Sequence, residues 1–263
     1  MCRLLGLACL LFGLGCGSNV AESPSAPSPD AGEPDAFAPI EPRCIAPEGV
    51  SAEPHSIADV VALINALPKP VTVPCFVEAL ARPLSLNAAR SSFSAQPADG
   101  PGSPRIFIFF PGLTLSVVPS GPGAHLLELG ESRPDNRSLK AELELPIETQ
   151  LEEASPYERV YYDDTITTCG FCHQGEHRDE TIASPLAFIS PAIRPRDNQR
   201  VALEQLAAEV AACDSNQDSE DDEDVAADPD AGSERERCAI LHALFDRGPA
   251  PLEHDFPTGY QQF

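Results

Sequence analysis

Cys169, Cys172 and His173 are the residues of this chain best placed to do chemistry. They stand in the run Cys169-Gly170-Phe171-Cys172-His173, two thiols three positions apart with an imidazole directly after the second. Thiols at that spacing can close a local disulfide or act as a dithiol, leaving His173 incidental. They can also bind a metal: Cys169, Cys172 and His177 would give zinc three ligands, with another residue completing the tetrahedron. A thioredoxin-like enzyme would carry its C-x-x-C after a strand and at the start of a helix in a βαβ unit. No such alternation surrounds residue 169.

The full five-residue run also reads C-x-x-C-H, the attachment signature for covalently bound haem. Over residues 169–173 the chain resembles the c-type cytochromes. The resemblance implies one covalent haem c, with Cys169 and Cys172 as its thioether sulfurs and His173 as the proximal iron ligand. The likeness stops there. The soluble cytochromes have a helix before the motif and a methionine far downstream on the opposite face of the iron. Here the preceding segment, residues 161–168, is β-like or irregular, and the sole methionine is Met1. A second histidine or an open position remains for the sixth ligand. His55, His125, His177, His242 and His254 are the candidates. His177 follows His173 by four residues, which on a helix would put both on the same face. His242 falls on a helical face with Cys238 and Phe245 and is the preferred distal candidate.

The elements that must position this motif read as an α+β fold. Ile57, Val60, Val61 and Ile64 recur at helical spacing behind Ser56-Ile57-Ala58-Asp59, a capping-box pattern, and Pro68 ends the run. Residues 104–168 are β-rich. Arg105–Phe110 is apolar on both faces, as in a central strand. Leu113, Leu115 and Val117 alternate with polar neighbours, Leu127 and Leu129 flank Glu128, and Ala141, Leu143 and Leu145 alternate with charges. Arg159–Tyr162 is a fifth strand. Short strands at this spacing predict a small antiparallel β-sandwich or barrel. A short helical region precedes it. A helical hairpin follows, with Val201, Leu203, Leu206, Ala207 and Val210 on one helix and Ile240, Leu241, Leu244 and Phe245 on the other. Cys213 and Cys238 fall at neighbouring ends of that hairpin, which predicts a Cys213–Cys238 disulfide and leaves Cys44–Cys75 as the other pair.

The N-terminus predicts export. Arg3 precedes an apolar run, Leu4 to Leu14, too short to span a bilayer. Gly13-Leu14-Gly15-Cys16 resembles the lipobox of bacterial lipoproteins, with Gly13 where that family has leucine. The resemblance implies a signal peptide over 1–15 and a lipid on Cys16, holding the protein on a membrane in the periplasm or at the outer membrane of a bacterial envelope. Residues 16–43 follow as an acidic, proline-rich tether. The remainder, about 220 residues, divides into a helix plus β-rich domain over 44–168 and a haem-motif segment with hairpin over 169–263. Export suits both the disulfides and the haem motif.

The formal net charge is −24. Residues 214–236 hold eleven acids against Arg235 alone, and are read as a disordered insert. A chain of this sign lacks the basic face that phosphate binding requires, so nucleic acid is not an expected partner. Asp214, Asn216 and Asp218 open like a calcium loop, but Ser219 replaces its glycine and Val225 its bidentate glutamate. Only weak divalent cation binding over 214–224 is expected. No phosphate-cradling glycine loop, nucleophile elbow or H-E-x-x-H motif occurs. The expected function is therefore single-haem electron transfer at the cell envelope, with an unidentified redox partner, rather than catalysis. The alternative is a non-catalytic envelope lipoprotein whose Cys169 and Cys172 form a local disulfide or part of a zinc site.

Overall fold

Alternating apolar and polar residues build one long sheet, and helical periodicity supplies the layer that covers it. The computed structural model describes residues 44–91, 94, 96–217 and 231–262. The export segment, Cys16 and the tether lie outside the described residues, as do residues 218–230 of the acidic stretch.

Helix α1 (Ile57–Ala66) starts at Ser56, whose hydroxyl accepts a hydrogen bond from the Asp59 amide at 3.1 Å. It buries Ile57, Val60, Leu63 and Ile64. Helix α2 (Val73–Glu78) is capped in the same way by Thr72. The chain then lays down β1 (Ser85–Ala89), β2 (Arg105–Phe110), β3 (Leu113–Val117), β4 (Leu126–Arg133) and β5 (Arg137–Glu144) as an antiparallel meander. The β4–β5 turn needs left-handed backbone at Asp135 (φ 60°) and Asn136 (φ 53°), a conformation these two residue types tolerate.

A short helix α3 (Ser155–Glu158) leads into a separate two-stranded ribbon, β6 (Tyr161–Asp163) and β7 (Ile166–Thr167). Strands β8 (His177–Arg178) and β9 (Phe188–Pro191) then extend the large sheet beyond β5. Strand β10 (Ile193–Arg194) pairs with the last strand. Strand β11 (Arg200–Val201) returns to pair with β1. Helices α4 (Leu203–Gln217) and α5 (Ala231–Phe245) form the hairpin, and β12 (Leu252–Glu253) and β13 (Gln261–Gln262) close the chain. The order across the sheet is β11-β1-β2-β3-β4-β5-β9-β8, with β12 parallel to β1.

One face of this sheet carries Leu86, Ile106, Ile108, Leu115, Leu127, Leu139 and Ala141. They form a single buried cluster with α1, α2, Leu206 of α4 and Ile240, Ala243 and Leu244 of α5. This corrects the expected sandwich or barrel. The sheet is open, and helices cover the apolar face that a second sheet would otherwise have buried. Strands from both sides of residue 168 share this sheet, so the expected division at 168/169 does not separate two compact units.

Cys44 is bonded to Cys75 and Cys213 to Cys238, tying the start of the described chain to α2 and α4 to α5. Helix α4 runs through Asp214 to Gln217 and α5 begins at Ala231. The ends of the stretch expected to be disordered are therefore helical. Among the described residues, no helix is long and apolar enough to cross a membrane.

Candidate haem site

The second face of the same sheet is mixed: Ala89, Phe107 and Phe109 form a small buried cluster with Phe256 at its β1–β2 end, polar side chains fill the rest, and the C-x-x-C-H segment lines the cleft on this side. Strand alternation places Arg105, Thr114, Ser116, Glu128, Lys140 and Glu142 on this face, opposite the core leucines. Gly130 stands between Thr114 and Lys140 across the sheet, where any larger residue would fill space. The result is a cleft with a cavity of about 140 Å³, set in a wider hollow of about 1120 Å³ that includes open solvent. Cys169, Cys172 and His173 line it from above, Lys140 and Ser138 from the sheet, and Phe256 and Tyr260 from the C-terminal tail.

The motif is held by its immediate neighbours. Thr167, fully buried, caps a one-turn 3₁₀ helix over Thr168–Phe171, accepting from the Cys169 amide at 3.2 Å. The Glu176 carboxylate accepts from the Thr167 amide at 2.7 Å and from the Thr167 hydroxyl at 2.9 Å. The turn closes with the Cys172 and His173 amides both donating to the Cys169 carbonyl. Gly170 is fixed by packing: a Cβ there would come 2.3 Å from Ile166 Cγ1 and 2.4 Å from a Glu176 oxygen.

His173 Nδ1 lies 2.8 Å from the Pro191 carbonyl. A carbonyl can only accept, so Nδ1 carries the hydrogen and Nε2 the lone pair. Nε2 has no hydrogen-bond partner among the described residues. Burial, with Lys140 adding to it, pushes the imidazole down to about 3, so the ring is neutral over the physiological range. Cys169 and Cys172 are both free thiols, unlike the other four cysteines of the described chain. Burial pushes the Cys169 thiol up to about 12, with Glu128 adding to the shift. A thiol so reluctant to ionise is a poor nucleophile for disulfide exchange.

The sheet beneath is unevenly satisfied. Arg105 donates from Nε to Ser116 Oγ at 3.0 Å and also binds Glu128, while Ser116 donates to Gln96 Oε1 at 2.9 Å. Glu142, directly across from Glu128, is pushed up to about 7 by burial and by that like charge. Lys140 makes no hydrogen bond or ion pair with a described residue, and burial lowers its ammonium. The hydroxyls of Ser138 and Ser190, paired across β5 and β9, are buried without a partner.

Several expected site residues are not brought here. His242 bonds within the hairpin, Nδ1 to Asp246 at 2.5 Å and Nε2 3.7 Å from Asp214. Its helix packs on the apolar side of the sheet, so the distal-ligand expectation fails. His55, His125, His177 and His254 do not line the cleft either. His177 lies exposed in β8 beside Arg137, so Cys169, Cys172 and His177 form no zinc-binding group. Cys213, Glu234 and Cys238 do cluster within 4.8 Å, but two of these three donors are the sulfurs of a disulfide. Asp214 and Asn216 lie within α4 rather than in a loop, which removes the calcium-loop opening.

Thr167, Glu176, Pro191 and Lys140 were not anticipated as site residues. Thr167 carried a local signal, a threonine two residues before the motif in N-cap position. The other three reach the site only through the fold.

The residues present fit a covalent haem: two unbonded thiols, a neutral imidazole anchored through Nδ1 with Nε2 unpartnered, and a cleft beside all three. No protein-family model matches the chain, and no curated protein or solved structure matches it.

Proposed function

We propose that this chain is an exported c-type haem protein that carries single electrons at the cell envelope. Cys169 and Cys172 hold the haem by two thioethers. In each, the sulfur bonds one vinyl carbon and the thiol hydrogen goes to the other, with no net oxidation. His173 supplies Nε2 to the iron. The bound group contributes a reversible one-electron couple. The carrying observation is the hydrogen bond from His173 Nδ1–H to the Pro191 carbonyl, which fixes the ring and leaves Nε2 as the one nitrogen with a free lone pair.

The remaining residues serve that site. Thr167 and Glu176 hold the turn that sets the sulfur spacing. Phe171, 58% exposed, packs edge-on against Tyr162 at 5.0 Å and keeps the outer rim of the motif open to a redox partner. The half-buried Cys169 thiol is poorly reached in the folded chain, so attachment precedes folding. The two disulfides agree with an oxidising, exported compartment. A lipid on Cys16 and a flexible tether would keep the carrier at a membrane surface.

Full-length protein, produced with an active haem-maturation system and isolated from the envelope, provides the test. A Soret band that survives acid–acetone extraction and a one-electron potentiometric titration are expected. Colourless protein from cells that mature other c-type haems would overturn the proposal.

A further inference from the structure

We infer that Lys140 supplies the second axial donor to the iron, through Nζ, from the sheet opposite His173. This assignment rests on the haem reading above and goes one ligand further.

The first support is placement. The motif and the β4–β5 region of the sheet both line the cleft. Lys140 belongs to that region, next to Gly130 across the β4–β5 pairing, where the missing side chain opens the space above it. A group held in this cleft is within reach of both His173 and Lys140.

The second support is elimination on chemical grounds. Methionine is absent after Met1, and none of the other five histidines lines the cleft. Arginine does not ligate iron, because its guanidinium stays protonated. Glu128 is engaged by Arg105. Tyr260 remains as a phenol on the C-terminal tail, directly before β13, which pairs with β10. Lys140 is the one nitrogen donor in the cleft with neither a hydrogen bond nor an ion pair to a described residue.

The third support is environmental. A half-buried lysine without a partner carries an unrecovered desolvation cost. Its neighbours Ser138 and Ser190 add two buried, unbonded hydroxyls, Ser138 being 4% exposed and part of the cleft wall. Coordination would resolve the lysine: the ammonium releases one proton to solvent and the amine lone pair binds iron, with no change in oxidation state.

The test uses the full haem-bearing chain. Wild-type ferric protein is expected to be low-spin and six-coordinate by electron paramagnetic resonance and magnetic circular dichroism. Selective ¹⁵N-lysine labelling should then give a ¹⁵N coupling to the iron in pulsed resonance, with no substitution required. Lys140→Ala and Lys140→Arg should both become high-spin while keeping the attached haem by intact mass. Tyr260→Phe should remain low-spin. High-spin wild type, the absence of a lysine ¹⁵N coupling, or a low-spin Lys140→Arg protein would overturn Lys140 ligation and leave the haem reading intact. Wild type without attached haem would overturn both, and the mass measurement separates that outcome from the others.

Discussion

The two faces of the central sheet are made by the same strands and obey opposite rules. On one face Leu115, Leu127 and Leu139 are closed under α1, α2, α4 and α5 in one buried apolar cluster. On the other, one residue along in each strand, Ser116, Glu128 and Lys140 lie beneath a single turn of 3₁₀ helix and a cleft. The first face accounts for why the chain folds. The second keeps charges half-buried, which burial alone does not favour. Stability alone does not explain polar groups collected under a C-x-x-C-H turn.

Substitutions that exchange the two faces should break this contrast most strongly. Leu127→Ala removes a fully buried side chain and should cost about 2–5 kcal/mol in chemical denaturation. Thr114→Ala, half-buried on the cleft face, should cost less than about 1 kcal/mol. Equal losses would show that the cleft face is also part of the folding core.

The cysteines sharpen the same contrast. Opening Cys213–Cys238 by replacing both with serine should lower stability by about 2–4 kcal/mol, since the bond closes a loop with sequence separation 25. Replacing Cys169 and Cys172 in haem-free protein should change it by less than about 1 kcal/mol, because those thiols constrain nothing until a group is attached. Gly170→Ala comes next: the new methyl meets Ile166 and Glu176, so a loss of about 1–3 kcal/mol and a lower fraction of haem-bearing chain by intact mass are expected.

The smallest effect is in pH. Glu142 is raised from 4.5 to about 7 in the folded protein. Its protonated form therefore favours the fold. That contribution is complete below about 4.5 and is lost as pH rises through about 7. Glu142→Gln should flatten this part of the stability profile, read as the difference between pH 5 and pH 8 in urea melts. An unchanged slope would show that Glu142 is not the group that titrates.

Much of the apolar face was legible in the sequence. Period-2 alternation gave Leu113–Val117 and Lys140–Leu145, and 3.6-residue spacing gave α1 and the hairpin. Alternation reports that one face is buried but not what buries it, so an open sheet under helices read as a sandwich. Strand β1, Ser85–Ala89, is built of small residues, and β9 lies among prolines at 185, 191 and 195. Neither carries a strong pattern. Cys169, Cys172 and His173 announced themselves by local spacing. Pro191 is 18 residues from His173, and Lys140 is 29 residues before Cys169, so only the fold could bring them to the cleft. His242 misled because a helical face with Cys238 and Phe245 shows that a residue points inward, not which layer it joins.

The most direct measurement is the mass of the proteolytic peptide containing Cys169–His173, taken from natively matured protein under reducing conditions. The expected peptide carries one haem through both sulfurs and takes up no thiol-alkylating reagent. A peptide of unmodified mass that takes up two equivalents of reagent would contradict the central claim.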